Sequence, residues 1–364
     1  MKKQEYFEEL LTYLPQISSE DREQIYTYYD ELICDGMEAG HTEEEMLAQF
    51  GSPKQLAQRL QEEWDLQSVP ALSPVSAKIC GKELVCSFLP DINRIPYAQI
   101  VTDCCRIRIV PTENSQLTIS YPKFLEQYAA CSESPKGIFF SLKRHRSAFS
   151  LFGRRSGNIL VEIPKGFLTH LRVHSRNVGI TMEDQVIEKV NLSTSNASIR
   201  VVSLAGKELE LSSSNASLTV ENSAFVSGTA CTSNGSIRVM NTIAKTLEGH
   251  TGNASITFSN VKCEEQTLIT SNGRITIDSG QCGTCVCTTS NGSISVEQLK
   301  GNDLTFTSSN GSIRGTLIGK AEDYSISCHT SNGSCSPAAV SRPDAENQLY
   351  AKTSNASIRL DFIC

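Results

Sequence analysis

A tetrapeptide of the type Ser-Asn-(Gly/Ala)-Ser recurs along this chain with its Asn at positions 196, 215, 234, 253, 272, 291 and 310, each 19 residues after the last, with Gly252 and Arg274 its single departures in two copies. So short and regular a repeat constrains the fold more tightly than length does. A 19-residue unit cannot bury an apolar face alone and must stack on its neighbours. Slightly longer returns, of 22 and 23 residues, add Asn332 and Asn355, and a degenerate copy, Ser175-Arg176-Asn177-Val178-Gly179, lies 19 residues upstream. Two residues before each Asn stands Ser or Thr (Ser175, Thr194, Ser213, Thr232, Thr251, Thr270, Thr289, Ser308, Thr330, Thr353). Three residues after it stands an aliphatic residue in nine of ten copies, from Ile180 and Ile199 to Ile358, with Cys335 the exception.

Within a copy the period is 2. Leu209-x-Leu211-x-Ser213 precedes the corner and Leu218-x-Val220 follows it, as for strands with one buried face. The alternation slips by one residue at the Asn-Gly or Asn-Ala step, which marks a corner where Gly or Asn tolerates a positive φ. The predicted fold is therefore mainly β: a single-stranded β-solenoid of ~19-residue rungs, roughly 45–50 Å long for ten rungs at ~4.8 Å spacing. The ten Asn (Asn177, Asn196, Asn215, Asn234, Asn253, Asn272, Asn291, Asn310, Asn332, Asn355) share parity with the apolar positions before the corner. They are read as an inward structural ladder that satisfies corner backbone groups, in preference to a ligand- or ice-binding array. Their Asn-x-Ser sequons are by-products of the repeat.

Residues 1–66 differ in kind. They hold 5 Lys/Arg against 16 Asp/Glu, a charge of -11, while the whole chain carries -7. So acidic a head argues against direct nucleic-acid binding. Tyr6, Phe7, Leu10, Leu11 and Leu14 form one helical stripe; Ile25, Tyr29, Leu32 and Ile33 form a second. Gly51-Ser52-Pro53 stops one helix and starts another, with Ser52 as N-cap and Pro53 at N1. The expected organisation is a small helical domain at 1–66, a linker at 67–96 carrying Pro70, Pro74, Pro90 and Pro96, and the solenoid at 97–364.

Leu14-Pro15, Glu20-Asp21-Arg22, Tyr28-Tyr29-Asp30-Glu31 and Phe50-Gly51-Ser52-Pro53-Lys54-Gln55-Leu56-Ala57 make the head resemble the HAAS signalling domain, found in bacteria beside PadR-like transcriptional regulators. From Tyr97 onward, Ile107-Arg108-Ile109-Val110-Pro111, Ile159-Leu160-Val161-Glu162-Ile163-Pro164-Lys165 and the Asn-centred repeats resemble the toast-rack, adhesin-like β-strand-repeat family. The resemblance implies a β-solenoid with a role in signalling or scaffolding, and a protein partner such as a PadR-like regulator or a membrane signalling protein. It carries no catalytic motif.

Fourteen cysteines are spread along the chain, and in the absence of an export signal they are expected to be reduced in a cytoplasmic protein. Cys282-Gly283-Thr284-Cys285-Val286-Cys287 has redox or ligand spacing, but Cys285 and Cys287 occupy the columns held elsewhere by Leu209 and Leu211. They are read as core, with no metal and no cofactor. The six histidines join no motif. A β-solenoid enzyme is disfavoured, because the repeat positions are mostly Ser, Thr and Asn. No apolar run approaches the ~18–20 residues of a transmembrane helix.

The candidate partner surface combines Tyr28, Tyr29 and Glu31 of the head with the basic, aromatic-flanked stretch Lys143, Arg144, Arg146, Arg154 and Arg155. The function expected is a non-enzymatic cytoplasmic scaffold whose head docks a regulator and whose solenoid is the platform. A self-assembling structural scaffold and a surface adhesin are the alternatives. The strand-like alternation Ser357–Ile363 is expected to leave an open last rung, and so a homodimer through the C-terminal rung.

Overall fold

In the computed structural model the described residues are 3–14, 29, 33, 42, 43, 47, 50–57, 75, 77–143 and 157–363. The chain divides into two units, Met1–Ala71 and Leu72–Cys364.

In the first unit a helix, Lys3–Thr12, buries Tyr6, Phe7, Leu10 and, just past its end, Leu14 against Ile33, Leu47, Leu56 and Ala57. Tyr29 sits between Phe7 and Phe50, with ring centroids 6.4 and 5.0 Å away. Gly51 takes φ 80°, Ser52 Oγ accepts from the Gln55 N–H at 3.3 Å, and Gln55 Oε1 accepts from the Ser52 N–H at 3.1 Å. That reciprocal pair is a capping box, and 53–57 is helical. Most of the rest of the helical domain expected at 1–66 lies outside the described residues.

The second unit is a β-solenoid. From His170 to Ile318 its tiers follow chain order, strands pairing in parallel with their counterparts 19 positions on, with a one-residue slip between Val296 and Leu299. Val190 lies opposite Leu209 and Leu192 opposite Leu211 in one ladder; Ile199 lies opposite Leu218 and Val201 opposite Val220 in the other. The aliphatic column is the core: Ile199, Leu218, Ile256, Ile275, Ile294 and Ile313 are fully buried. A second corner appears at Asp184, Ser203, Asn222, Asn241, Asn260, Ser279 and Gln298, all with φ between 49 and 56°. Short polar side chains tolerate this left-handed conformation. The Asn-centred corner needs no positive φ. Its glycines serve close approach instead: a Cβ on Gly235, Gly273, Gly292 or Gly311 would collide with the corner carbonyl of the preceding tier.

At both ends the stacking order departs from the chain order. Asn347–Thr353 pairs with Asp303–Thr307 on one side and with Tyr324–Thr330 on the other. Ile358–Ile363 likewise pairs with Ile313–Ile318, and its first residues also pair with Cys335–Ser336. The last tier of the sequence is thus inserted beneath the one before it. This corrects the expectation that the last rung of the sequence is the open one: the outermost tier is Tyr324–Ser336, bridged on its outer edge at Ile326. Ile326 and Val340 exchange backbone bonds of 2.8 and 2.9 Å, while Arg342 Nη1 donates to the carbonyls of Ala321 and Tyr324 at 2.9 and 2.8 Å.

The other end mirrors this. Tyr97–Thr102 lies between His170–Ser175 and Gly137–Leu142, and Cys105–Thr112 between Ile180–Val186 and Gly157–Pro164. Antiparallel strands close it. Leu117–Pro122 pairs with Gly157–Pro164, Glu83–Phe88 with Leu117–Pro122, and Lys78–Cys80 with Glu83–Phe88. The expected linker at 67–96 is therefore part of the solenoid from Val75, whose N–H bonds the Cys131 carbonyl at 3.0 Å. Leu84, Cys86 and Phe88 are buried in strict alternation, because an end tier must cover its inner face with something apolar.

Candidate functional site

The Asn-centred corner is the most regular surface of the molecule, and two polar columns build it. The inner column is the Ser/Thr two residues before each Asn. Thr270 Oγ1 accepts from the Gly273 N–H at 3.1 Å and donates to the Ala254 carbonyl of the preceding tier at 3.1 Å. Thr289 repeats this with Gly292 and Gly273, at 3.1 and 3.2 Å, and Ser308 with Gly311 and Gly292, at 2.9 and 3.0 Å. These hydroxyls are buried and satisfy backbone groups that would otherwise be orphaned.

The outer column is the Asn ladder, and it faces solvent. All ten Asn are exposed. Each amide donates along the stack to the next, from Asn196 Nδ2 to Asn177 Oδ1 at 2.8 Å through to Asn310 and Asn291 at 2.7 Å. It ends Asn355 to Asn310 at 2.7 Å and Asn332 to Asn355 at 2.8 Å, in the order of the inserted tier. The inward placement read from parity is thus corrected. A corner residue rotates away from the strand alternation, and the inward role passes to the hydroxyl two residues earlier. The second corner, legible as a 19-residue series of turn-forming residues from Asp184 to Gln298, was missed by the sequence reading.

Beside this corner runs a shallow groove lined by Ser212, Ser214, Cys231, Ser233, His250 and Ile269. Cys231 and His250 lie on adjacent tiers, but this pair is not a nucleophile with its base. Burial, with Glu248 and Glu210 nearby, pushes the Cys231 thiol up and away from thiolate, while His250 Nε2 is 3.4 Å from Glu248 Oε2. His174 is held below the usual imidazole range by burial, and its Nδ1 is 2.9 Å from Ser193 Oγ.

The cysteine cluster lies inside. Cys285 and Cys287 are fully buried with sulfurs 3.7 Å apart, and Gln266 Nε2 donates to Cys285 Sγ at 3.0 Å. Burial raises the Cys285 thiol well above its ordinary value; the free thiol of Cys282, hydrogen-bonded to Cys285 and buried, is raised as well. Cys263 is pushed up to about 12, chiefly by burial. Protonated thiols in apolar columns pack as small hydrophobic groups. Among the described residues no group of three or more His, Cys, Asp or Glu is arranged to hold a metal ion.

The expected partner surface is only partly in view. Tyr28, Glu31, Arg144, Arg146, Arg154 and Arg155 lie outside the described residues. Tyr29 is a packing residue of the head. Lys143 is exposed, and its backbone N–H bonds the Tyr128 carbonyl at 3.2 Å. Among the described residues no helix is long and apolar enough to cross a membrane.

Family comparison separates the same two parts. A HAAS domain is matched over residues 5–59, and the Toastrack DUF4097 family over 99–248 and 229–362, which together span well over half of the chain. The chain belongs to the Toastrack DUF4097 family. No curated protein matches this toastrack chain. Among solved structures, a candidate adhesin from Parabacteroides merdae ATCC 43184 is similar at 11% identity, covering 78% of this chain and 97% of its own, with a TM-score of 0.42. A candidate lipid-binding protein from Parabacteroides distasonis ATCC 8503 is similar at 10% identity, covering 78% and 98%, with a TM-score of 0.35. A candidate cell-adhesion protein from Clostridium sporogenes ATCC 15579 is similar at 9% identity, covering 79% and 100%, with a TM-score of 0.22.

Proposed function

We propose that this toastrack chain is a non-enzymatic cytoplasmic interaction scaffold, its HAAS head docking a signalling or regulatory protein and its solenoid serving as the platform. One observation carries the reading: a HAAS domain precedes a solenoid whose corner polar groups are consumed in bonding one another. Side chains so committed are matched to holding a shape. The cysteines of the solenoid support the same reading, since burial, and for Cys282 first its hydrogen bond with Cys285, keeps the Cys231, Cys263, Cys282 and Cys285 thiols protonated. The partner class that fits is a PadR-like regulator, or a membrane signalling protein, recognising the acidic head.

The test is titration calorimetry of the full chain against a purified PadR-like regulator from its native host. Saturable one-to-one binding is expected. Glu5→Lys with Glu8→Lys, two exposed positions of the first helix, should weaken it about tenfold, the scale on which unfavourable charge contacts act at an interface. No heat of binding to the regulator or to a membrane signalling protein would overturn the reading.

A further inference from the structure

The antiparallel end of the solenoid carries an arrangement that packing alone does not call for. Between Phe88 and Tyr97 the chain crosses in a short loop, and three of its aliphatic side chains point to water: Leu89 is 61% exposed, Ile95 55% and Ile92 100%. Such side chains normally come with a floppy segment or a covered one. Here the loop is open and held firmly from below. Arg94 is buried; its guanidinium donates to the Leu89 carbonyl at 2.6 Å, pairs with Glu133 and lies 5.5 Å above the Phe167 ring centroid. The Asn93 N–H bonds Asp91 Oδ1 at 2.9 Å and the Arg94 N–H bonds the Asp91 carbonyl at 3.2 Å, closing a tight turn with Ile92 at its tip. The Ile95 N–H bonds the Pro135 carbonyl at 2.8 Å and the Pro96 carbonyl accepts from the Thr169 N–H at 2.8 Å. The loop is thereby tied to the two neighbouring loops.

Those neighbours supply the charge. Lys136, next to Pro135, and Lys165, two residues from Phe167, are both exposed. Of the local carboxylates, Glu133 pairs with Arg94, while Asp91 is exposed, accepts from the Asn93 N–H and acts on the Arg94 charge. What faces outward is a tied-down aliphatic tip with an exposed lysine on each of the two loops that hold it.

We propose that this loop, Leu89 to Pro96, is a lipid-surface anchor that inserts Ile92, Leu89 and Ile95 among the acyl chains while Lys136 and Lys165 meet anionic headgroups. Protein hot spots favour Trp, Tyr and Arg in a packed patch, and no Trp, Tyr or exposed Arg stands in this loop. Aliphatic tips with a basic rim match the apolar and electrostatic terms of an anionic bilayer surface. A loop already pinned in shape loses little freedom on insertion. The proposal does not rest on the docking function of the head.

The experiment is flotation of the full chain with phosphatidylcholine vesicles holding about one-third phosphatidylglycerol, at roughly 0.05 and 0.5 M salt. The intact chain should float at low salt and several-fold less at high salt. Ile92→Asp should lower partitioning about tenfold or more with an unchanged circular dichroism spectrum, since this fully exposed side chain supports no fold. Leu89→Ser is the second apolar variant and should act in the same direction. Lys136→Glu with Lys165→Glu should weaken binding and remove its salt dependence. The proposal is overturned if the intact chain does not float, or if Ile92→Asp floats equally well. It is also overturned if Ile92→Asp alters only self-association or binding to a protein.

Discussion

The middle and the ends of the solenoid solve one problem in different ways. Between Lys189 and Thr289 every strand finds its neighbours one repeat before and after it in the chain and is paired on both edges. At the ends a tier would have a bare edge, and bare edges recruit other chains. This chain folds the tiers Tyr97–Thr112 and Asn347–Ile363 inward, and leaves outermost a tier capped by antiparallel strands at one end and bridged by Val340 and Arg342 at the other. Repetition is enough for the interior, whereas the ends depend on segments that break the repeat.

The largest effect should come from charge in the aliphatic column. Ile256→Asp in the middle and Ile358→Asp in the inserted tier, both buried to 1% or less, should each cost at least ~4 kcal/mol in denaturant unfolding, because neither carboxylate can find a partner. Similar losses sharpen the comparison; a mild Ile358→Asp would mean that its tier is an edge. Next, Ala351→Pro removes an N–H from a strand flanked by Asp303–Thr307 and Tyr324–Thr330. It should cost ~3 kcal/mol by the same measurement.

Smaller effects separate the two polar columns. Thr270→Val leaves the buried Gly273 N–H without its acceptor and should cost ~1–3 kcal/mol, whereas Asn272→Ala loses only exposed amide bonds and should cost ~1 kcal/mol or less. Equal costs would return the Asn to the interior. The smallest effect concerns pH. Cys263 titrates at about 12 when folded, above its ordinary 9.0, and Cys282 and Cys285 are raised too. Above pH ~9 the folded chain therefore holds more protons than the unfolded one, so stability present in full below that pH is lost as pH rises toward ~12. The melting temperature should fall by a few degrees between about pH 8 and pH 10.5, and less in the Cys285→Val, Cys287→Val variant.

The interior was legible because period, column and alternation agree: the Ile column from Ile180 to Ile313 gives register without ambiguity. The ends were not, for a physical reason. Intervals of 22 and 23 residues announce longer connections before Asn332 and Asn355, but either copy fits either tier, since columns record what a tier packs against and not which tier lies above it. The strand Glu83–Phe88 could have been found from Leu84-x-Cys86-x-Phe88, had the flanking Pro70, Pro74, Pro90 and Pro96 not drawn the whole stretch into a linker. The Asn ladder was found as a column and turned the wrong way, because strand parity does not carry through a corner. The pinned loop at Ile92 has no repeat to announce it; its meaning depends on Arg94 being buried, which no pattern of residue types reveals.

Hydrogen exchange of the backbone amides tests the inserted ends most directly. Segments 347–353 and 358–363 should be protected nearly as well as 294–308, and better than 324–336, which lies outermost; at the other end 97–102 should outlast 137–142. If the amides of 347–363 exchange faster than those of 324–336, the tiers stack in chain order, and the inserted, self-closed solenoid described above is wrong.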